Sequence, residues 1–298
     1  MKKSHFCLPA AALSLALLCS ACSGAPEKAR GTTVVSEGLR FCESTLPYEA
    51  GVLVANFGTG QLDPLNNEGK GYIAYLHDGV VETLIPADGT LSAPKGMYLR
   101  DGRLFVCDVN RVAVYDLRRP GEAPQVIAFP EGELFVNDLA ADGNDLYASV
   151  TNTGRIFRLD ISDLAAVGAP EPWLEVPGPN GLVIRDGAMY VAAYPADGQT
   201  TPAHVIYRVA DLRQPVAEPW IKVPGQYDGI AFSSDGRTLY VTNWAPAGVS
   251  AIDLETLEMQ PVELDVEPAF AGPADMSVAG GRVYIPDLPN SRVVIFTE

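Results

Sequence analysis

The chain has 298 residues, with 37 acidic side chains against 21 basic ones and a net charge of −16. Phosphate recognition needs a basic footprint, so this balance speaks against a nucleic-acid partner. A hydrophobic share of 47% with 19% charged residues indicates a globular chain rather than a disordered one, and 28 glycines with 24 prolines imply frequent turns and few long helices.

The first residues read as a targeting segment. Lys2 and Lys3 precede an apolar run from Phe6 to Leu18, and Cys19-Ser20-Ala21-Cys22 follows. A positive start, an apolar stretch and small residues before a cut site form an export signal. The run is too short for a membrane-spanning helix, which needs about 20 apolar residues. Small residues just before a cysteine resemble a bacterial lipoprotein signal, and the resemblance implies a signal over 1–21 with lipid attachment at Cys22. The departure is Cys19, where that pattern prefers an aliphatic residue. The competing reading is an ordinary secretory signal cut near Ala21. Both readings export the protein, and the first places it on the cell envelope facing the periplasm. Ser23 in place of Asp after the cysteine leans towards the outer membrane. Losing residues 1–21 removes two lysines and no acids, which takes the net charge from −16 to −18. Cys42 and Cys107 then remain in the domain, either as a disulfide or as two buried thiols. Residues 22–30 read as the lipidated cysteine and a flexible tether.

From residue 31 onward the chain repeats. Short apolar segments recur as Leu53–Phe57, Leu104–Asp108, Leu146–Val150, Met189–Ala193, Leu239–Asn243 and Val283–Asp287. Their first residues are 51, 42, 43, 50 and 44 apart, a period that suits four-stranded propeller blades of about 40–50 residues. Asp-Gly pairs at 101–102, 142–143, 186–187 and 235–236 mark hairpins before four copies. A further strand-like run follows each copy, at 71–76, 111–117, 155–159, 205–209, 249–254 and 292–296. Outer runs follow at 80–85, 125–129, 173–176, 220–223 and 262–266. Leu164–Val167 offers at most a helical turn. The sixth unit ends without an outer strand, and the β-prone run Thr32–Ser36 is its donor. The expectation is one all-β domain over 31–298: a six-bladed β-propeller with four-stranded blades, its ring closed by the N-terminal strand.

Six tetrapeptides start the innermost strands: Cys42-Glu-Ser-Thr45, Pro94-Lys-Gly-Met97, Val136-Asn-Asp-Leu139, Pro179-Asn-Gly-Leu182, Tyr227-Asp-Gly-Ile230 and Pro273-Ala-Asp-Met276. Their second residues form one column, Glu43, Lys95, Asn137, Asn180, Asp228 and Ala274, which ring symmetry brings together. Two carboxylates and two amide oxygens suit a hard divalent cation such as Ca²⁺, and without His or Cys the set does not suit zinc or copper. His77 and His204 lie outside the column. Taken singly, each of these residues has a bland alternative as a cap of blade-turn backbone. The polar loop 63–71 lacks the spacing of an EF-hand and reads as solvated. Trp173, Trp220 and Trp244 read as blade packing, with Trp244 also placed to line the pocket mouth.

The cadence of Glu-Ser, Asn-Asp, Pro-Asn-Gly-Leu and Asp-Gly-Ile at successive blade starts resembles the gluconolactonase/senescence-marker-protein superfamily of six-bladed propellers, over nearly the whole domain. The resemblance implies a central divalent metal, often Ca²⁺, held by Glu43, Asn180 and Asp228. It gives Asp228 a second role as general base, and Asn137 a contact to substrate or water at the metal. Glu49 competes with Glu43 for the first position. Lys95 departs from the pattern: it turns aside, or pairs with Glu43 or Asp228 in the metal's place, or binds an anionic group of a substrate. Two functions remain open on these residues. One is a Ca²⁺-dependent lactone or ester hydrolase. The other is a non-catalytic surface propeller that binds a small molecule or a protein partner.

Overall fold

The computed structural model describes residues 31–298. The expected signal, the expected tether and Cys22, the expected acylation position, lie outside the described residues.

Alternating, β-branched-rich segments pair into six antiparallel four-stranded sheets among the described residues. The first strand, β1 (Thr33–Val35), is set apart in sequence from the rest of its sheet. Blade one is β2 (Cys42–Tyr48), β3 (Gly51–Asn56), β4 (Tyr72–His77) and β5 (Val80–Ile85). Blade two is β6 (Pro94–Arg100), β7 (Arg103–Asp108), β8 (Arg111–Asp116) and β9 (Gln125–Ala128). Blade three is β10 (Val136–Asp142), β11 (Asp145–Val150), β12 (Arg155–Asp160) and β13 (Glu171–Glu175). Blade four is β14 (Pro179–Arg185), β15 (Ala188–Ala193), β16 (Ile206–Val209) and β17 (Ala217–Ile221). Blade five is β18 (Tyr227–Phe232), β19 (Thr238–Asn243), β20 (Gly248–Asp253) and β21 (Met259–Pro261). Blade six is β22 (Ser277–Ala279), β23 (Arg282–Asp287) and β24 (Arg292–Thr297), with β1 on its outer edge. Thr33 pairs with Ile295 and Val35 with Val293, so the two ends of the domain close the ring as the sequence implies.

Asp101-Gly102 and Asp186-Gly187 turn with positive φ at both positions, the geometry of a two-residue hairpin whose twist matches its strands. Apolar side chains of successive blades interlock as separate cores. Phe105, Leu139 and Phe157 lie between blades two and three, and Val35, Val52 and Val293 seal blade six against blade one.

The outer strand of blade four is Ala217–Ile221 rather than 220–223, and two further assignments change. Asn56, and not Phe57, ends the second strand of blade one in register with Asp108, so Val52 is the equivalent of Leu104. The outer strand of blade five is Met259–Pro261 rather than 262–266. There the Asp253 carboxylate accepts the N–H groups of Glu255 and Thr256 at 2.9 and 2.8 Å and tightens the turn, so the chain returns sooner. Cys42 and Cys107 are free and buried. The Cys42 thiol donates to the Arg292 carbonyl at 3.1 Å, so its partner is backbone at the ring closure and not a second sulfur.

Candidate functional site

Five of the six tetrapeptides open an inner strand, and the sixth sits at a bridge between Pro273 and Asp287 just ahead of β22. In β2, β6, β10, β14 and β18 the pairing register slips directly after the first residue. A bulge of this kind re-aims side chains out of the ladder. It explains how the second residues leave the sheet plane and how the third residues come to face the next blade. Close packing at the third position is absolute: a Cβ on Gly229 would run into Asp275 and Met276 of blade six.

All six column residues are buried, with Glu43 4%, Lys95 1%, Asn137 1%, Asn180 2% and Asp228 7% exposed. Glu49 instead occupies the exposed far end of β2, which leaves Glu43 as the inner glutamate. Among the described residues, seven buried side-chain oxygen or nitrogen atoms lack a hydrogen-bond partner. Four of them are Glu43 Oε2, Asn137 Oδ1, Asn180 Oδ1 and Asp228 Oδ1. An unsatisfied buried acceptor costs about 1–3 kcal/mol, so four acceptors from four blades form a concentrated demand for a positive partner. The Asn180 amide donates to Asp228 Oδ2 at 3.5 Å, which orients its own oxygen away from that carboxylate. No group of three or more His, Cys, Asp or Glu gathers as a metal cluster among the described residues, so any ion here would rely on the two amides as well.

Lys95 does not pair with either carboxylate. Its Nζ donates to the carbonyls of Pro64 and Ala93 at 3.0 and 2.9 Å and lies 5.3 and 5.0 Å from the ring centres of Phe57 and Phe135. The ammonium is therefore drawn aside and fastens the 57–71 loop, leaving the oxygen atoms of the column unbridged. Of the three sequence options for this residue, the geometry removes the ion pair. The loop itself is ordered by Asn66, whose amide donates to Asp63 and Ser92 carbonyls.

A second layer of carboxylates was not singled out by the sequence reading. Asp138 and Asp275 stand at the third position of their tetrapeptides. Asp138 accepts the N–H groups of Leu139 and Leu182 at 2.7 and 2.6 Å, joining blades three and four. Asp275 accepts the Ser44 hydroxyl at 2.6 Å and the Met276 N–H at 2.9 Å, joining blades six and one. Hydroxyls tie the other inner strands. Ser149 accepts from the Asp138 N–H and donates to the Asn180 carbonyl, and Thr242 accepts from the Gly229 N–H and donates to the Ala274 carbonyl. Further out, Asp108 and Asp287 each accept two N–H groups of the segment that leads into their blade's inner strand, and arginines 111 and 292 brace them. Recurrence of Asp at the end of the second strand was the visible sequence signal for this brace.

Four buried carboxylates around one buried ammonium leave an excess of negative charge, and their acidities respond. Burial, with the charge of Asp228 added, raises Glu43 well above the usual range, although Lys95 pulls it down. Burial and Asp275 push Asp228 up to about 8, against the Asn180 hydrogen bond and Lys95. Burial lifts Asp275 to about 7, with the Ser44 hydroxyl holding it lower than burial alone would. Burial lowers Lys95, and the charge of Glu43 opposes that. A cation in the pocket reverses the carboxylate shifts, because it favours their charged forms.

His77 stacks on Tyr75 and faces Glu82 at 3.8 Å, and the His204 ring accepts the Thr201 N–H. Trp173 and Trp220 pack on Tyr147 and Tyr190, while Trp244 lies over Gly272 and against a buried apolar cluster.

No protein-family model matches the chain, and no curated protein does. Solved structures do. A Bacteroides thetaiotaomicron structural genomics protein of unknown function matches with a TM-score of 0.62 at 15% identity, over 87% of this chain and 70% of that one. A catalytically inactive virginiamycin B lyase variant from Staphylococcus aureus, solved with quinupristin, matches with a TM-score of 0.60 at 12% identity, over 90% and 99%. A streptogramin B lyase matches with a TM-score of 0.60 at 13% identity, over 90% and 97%. At such identities these likenesses bear on the fold alone, and the count of six blades comes from the sheets of this chain.

Proposed function

We propose that this chain is an exported, lipid-anchored propeller whose central pocket holds a divalent cation, Ca²⁺, and acts as a lactone or ester hydrolase. The supporting observation is the set of four partnerless buried oxygens supplied by four different blades. Glu43, Asn180 and Asp228 would hold the ion; a hard cation takes such oxygens and, when bound, stabilises developing oxyanion charge. Asp228 is the general base by the gluconolactonase resemblance, and its buried carboxylate keeps one oxygen, Oδ1, without a partner. Asn137, fixed on β10, orients the substrate through its amide. Lys95 spends two of its three donors on carbonyls and retains one for an anionic group of the substrate.

The virginiamycin B lyase, inactive in a form that replaces a histidine by alanine, does not serve as a template, since neither described histidine contacts the column. A second reading is a non-catalytic propeller in which the ion is structural, and the 1–7% exposure of the pocket residues favours it. Metal analysis of the full-length protein, followed by a lactone and ester panel, separates the two. One Ca²⁺ per chain, lost in Asp228→Asn, with turnover supports the hydrolase. Bound Ca²⁺ without turnover favours the binding propeller. Metal-free protein at millimolar Ca²⁺ refutes the site.

The anchor fits this arrangement. Val35 pairs near the mouth end of β24 and Thr33 further from it, so the chain enters the domain from the face opposite the pocket. Loss of radiolabelled palmitate in Cys22→Ala tests the anchor.

A further inference from the structure

The sequence Glu-Pro-Trp occurs twice, at 171–173 and 218–220, in the outer strands β13 and β17 of blades three and four. In both blades the register sets the same groups side by side. A tyrosine of the second strand stands opposite an arginine of the third, Tyr147 with Arg158 and Tyr190 with Arg208, and that arginine stands opposite the glutamate of the motif. The tryptophan packs on the tyrosine, with ring centres 4.5 Å apart in blade three and 5.0 Å in blade four.

Blade four closes this arrangement. Arg208 donates to the Tyr190 hydroxyl at 3.3 Å, and Phe232 of blade five covers the Tyr190 ring at 5.3 Å. Blade three leaves it open. The smaller Ile184 holds the place of Phe232, as the sixth residue of the next blade's inner strand. Arg158 is drawn to Glu171 at 3.4 Å and Asp145 at 3.9 Å, away from the tyrosine hydroxyl. The consequence is a groove of about 660 Å³ where blade three meets blade four, within the range of about 300–1,000 Å³ typical of small-ligand sites. Tyr147 lines it and is only 2% exposed, yet its hydroxyl has no hydrogen-bond partner among the described residues. The Asp142 carboxylate from blade three and the Arg213 guanidinium from blade four line it too, and neither has a hydrogen bond or ion pair among the described residues. The groove is distinct from the column. It lies at the other end of β10, where five residues, roughly 17 Å of strand, separate Asn137 from Asp142.

The lining selects a ligand chemistry. Three carboxylates, of Asp142, Asp145 and Glu171, share the groove with the guanidiniums of Arg158 and Arg213. An anion meets the first set, a cation meets the second, and a wholly apolar body strips water from both without replacing it. A hydroxyl suits both, because it donates to a carboxylate and accepts from a guanidinium or from the Tyr147 phenol. Half-buried Trp173, with Pro172 and Pro215, adds apolar surface for the C–H face of a ring.

We infer that this groove binds a neutral saccharide, with Trp173 against a sugar ring and Asp142, Arg213 and the Tyr147 hydroxyl engaging its hydroxyl groups.

The test is titration calorimetry on the full-length protein, once with calcium and once with EDTA. The probes are glucose, galactose, N-acetylglucosamine, maltose, lactose and N,N′-diacetylchitobiose, with glucosamine and glucuronate as charged controls. At least one neutral sugar is expected to bind, equally in calcium and in EDTA, since the column takes no part. Trp173→Ala, Asp142→Asn and Arg213→Ala should each weaken it about tenfold. Asp142 and Arg213 are exposed, so their variants keep the fold even where Trp173→Ala disturbs blade three. No binding by any neutral sugar, tighter binding of glucosamine or glucuronate than of glucose, affinity unchanged in both exposed variants, or binding lost in EDTA would each overturn the inference.

Discussion

Replacing Asp228 by Asn should change the protein's stability in opposite directions with and without calcium. The carboxyl of Asp228 is raised from its ordinary 3.8 to about 8 by burial and by Asp275, so the folded, metal-free pocket disfavours its ionised form. At roughly 1.4 kcal/mol for each unit, the shift corresponds to an upper bound of about 5 kcal/mol near pH 7.5, and relaxation of the site reduces the realised value to about 1–3 kcal/mol. The carboxamide has the same shape and no charge. In chelator, Asp228→Asn should therefore melt about 2–10 °C above the unaltered protein. With calcium the order should invert. On the proposed calcium site the unaltered protein would gain about 2.7 kcal/mol at a hundredfold excess of calcium over Kd, whereas the variant would lack one of the proposed ligands and gain little. Thermal unfolding by circular dichroism, with excess EDTA and with millimolar calcium chloride, reads all four values. A lower melting temperature for the variant in EDTA, or equal calcium stabilisation of both proteins, would refute the reasoning.

The same acidities predict a pH dependence. Asp228 and Asp275 are raised to about 8 and about 7, so their contribution is fully present below the unfolded values and is lost as pH rises through that range. Metal-free protein should lose melting temperature from mildly acidic to mildly alkaline buffer, and calcium should flatten the curve. A metal-free curve that climbs over that range would count against the buried cluster. Gly96→Ala should cost about 1–3 kcal/mol in chemical denaturation, because its Cβ would meet Asp138 of blade three. Gly60→Ala, with nothing within 4 Å, is the near-neutral control. Val35→Asp should cost about 2–3 kcal/mol and promote association, since Val35 sits in the core that seals blades six and one. An unchanged denaturation midpoint would show that ring closure does not depend on β1.

Much of this protein is a property of local pattern. The alternating strands, the Asp-Gly hairpins and the recurrence near 42–51 residues set the blade count. The orphan run near residue 33 shows where the ring closes. The column from Glu43 to Ala274 was legible too, because each member holds the same position in a repeated tetrapeptide and symmetry does the rest. Strand pairing depends on neighbours a few residues apart, so the sequence carries it directly. What a side chain does between blades depends on partners that meet only in three dimensions. Lys95 shares its column with two carboxylates, yet carbonyls from the 57–71 loop and its own blade draw its ammonium aside. Asp138 and Asp275 carry no legible role until the next blade's strand arrives with donors for them. The sequence by itself determined the architecture and the donor atoms at its centre. The tertiary structure decided which of those atoms are left without partners, because hydrogen-bond satisfaction is shared across blades, far apart in the chain.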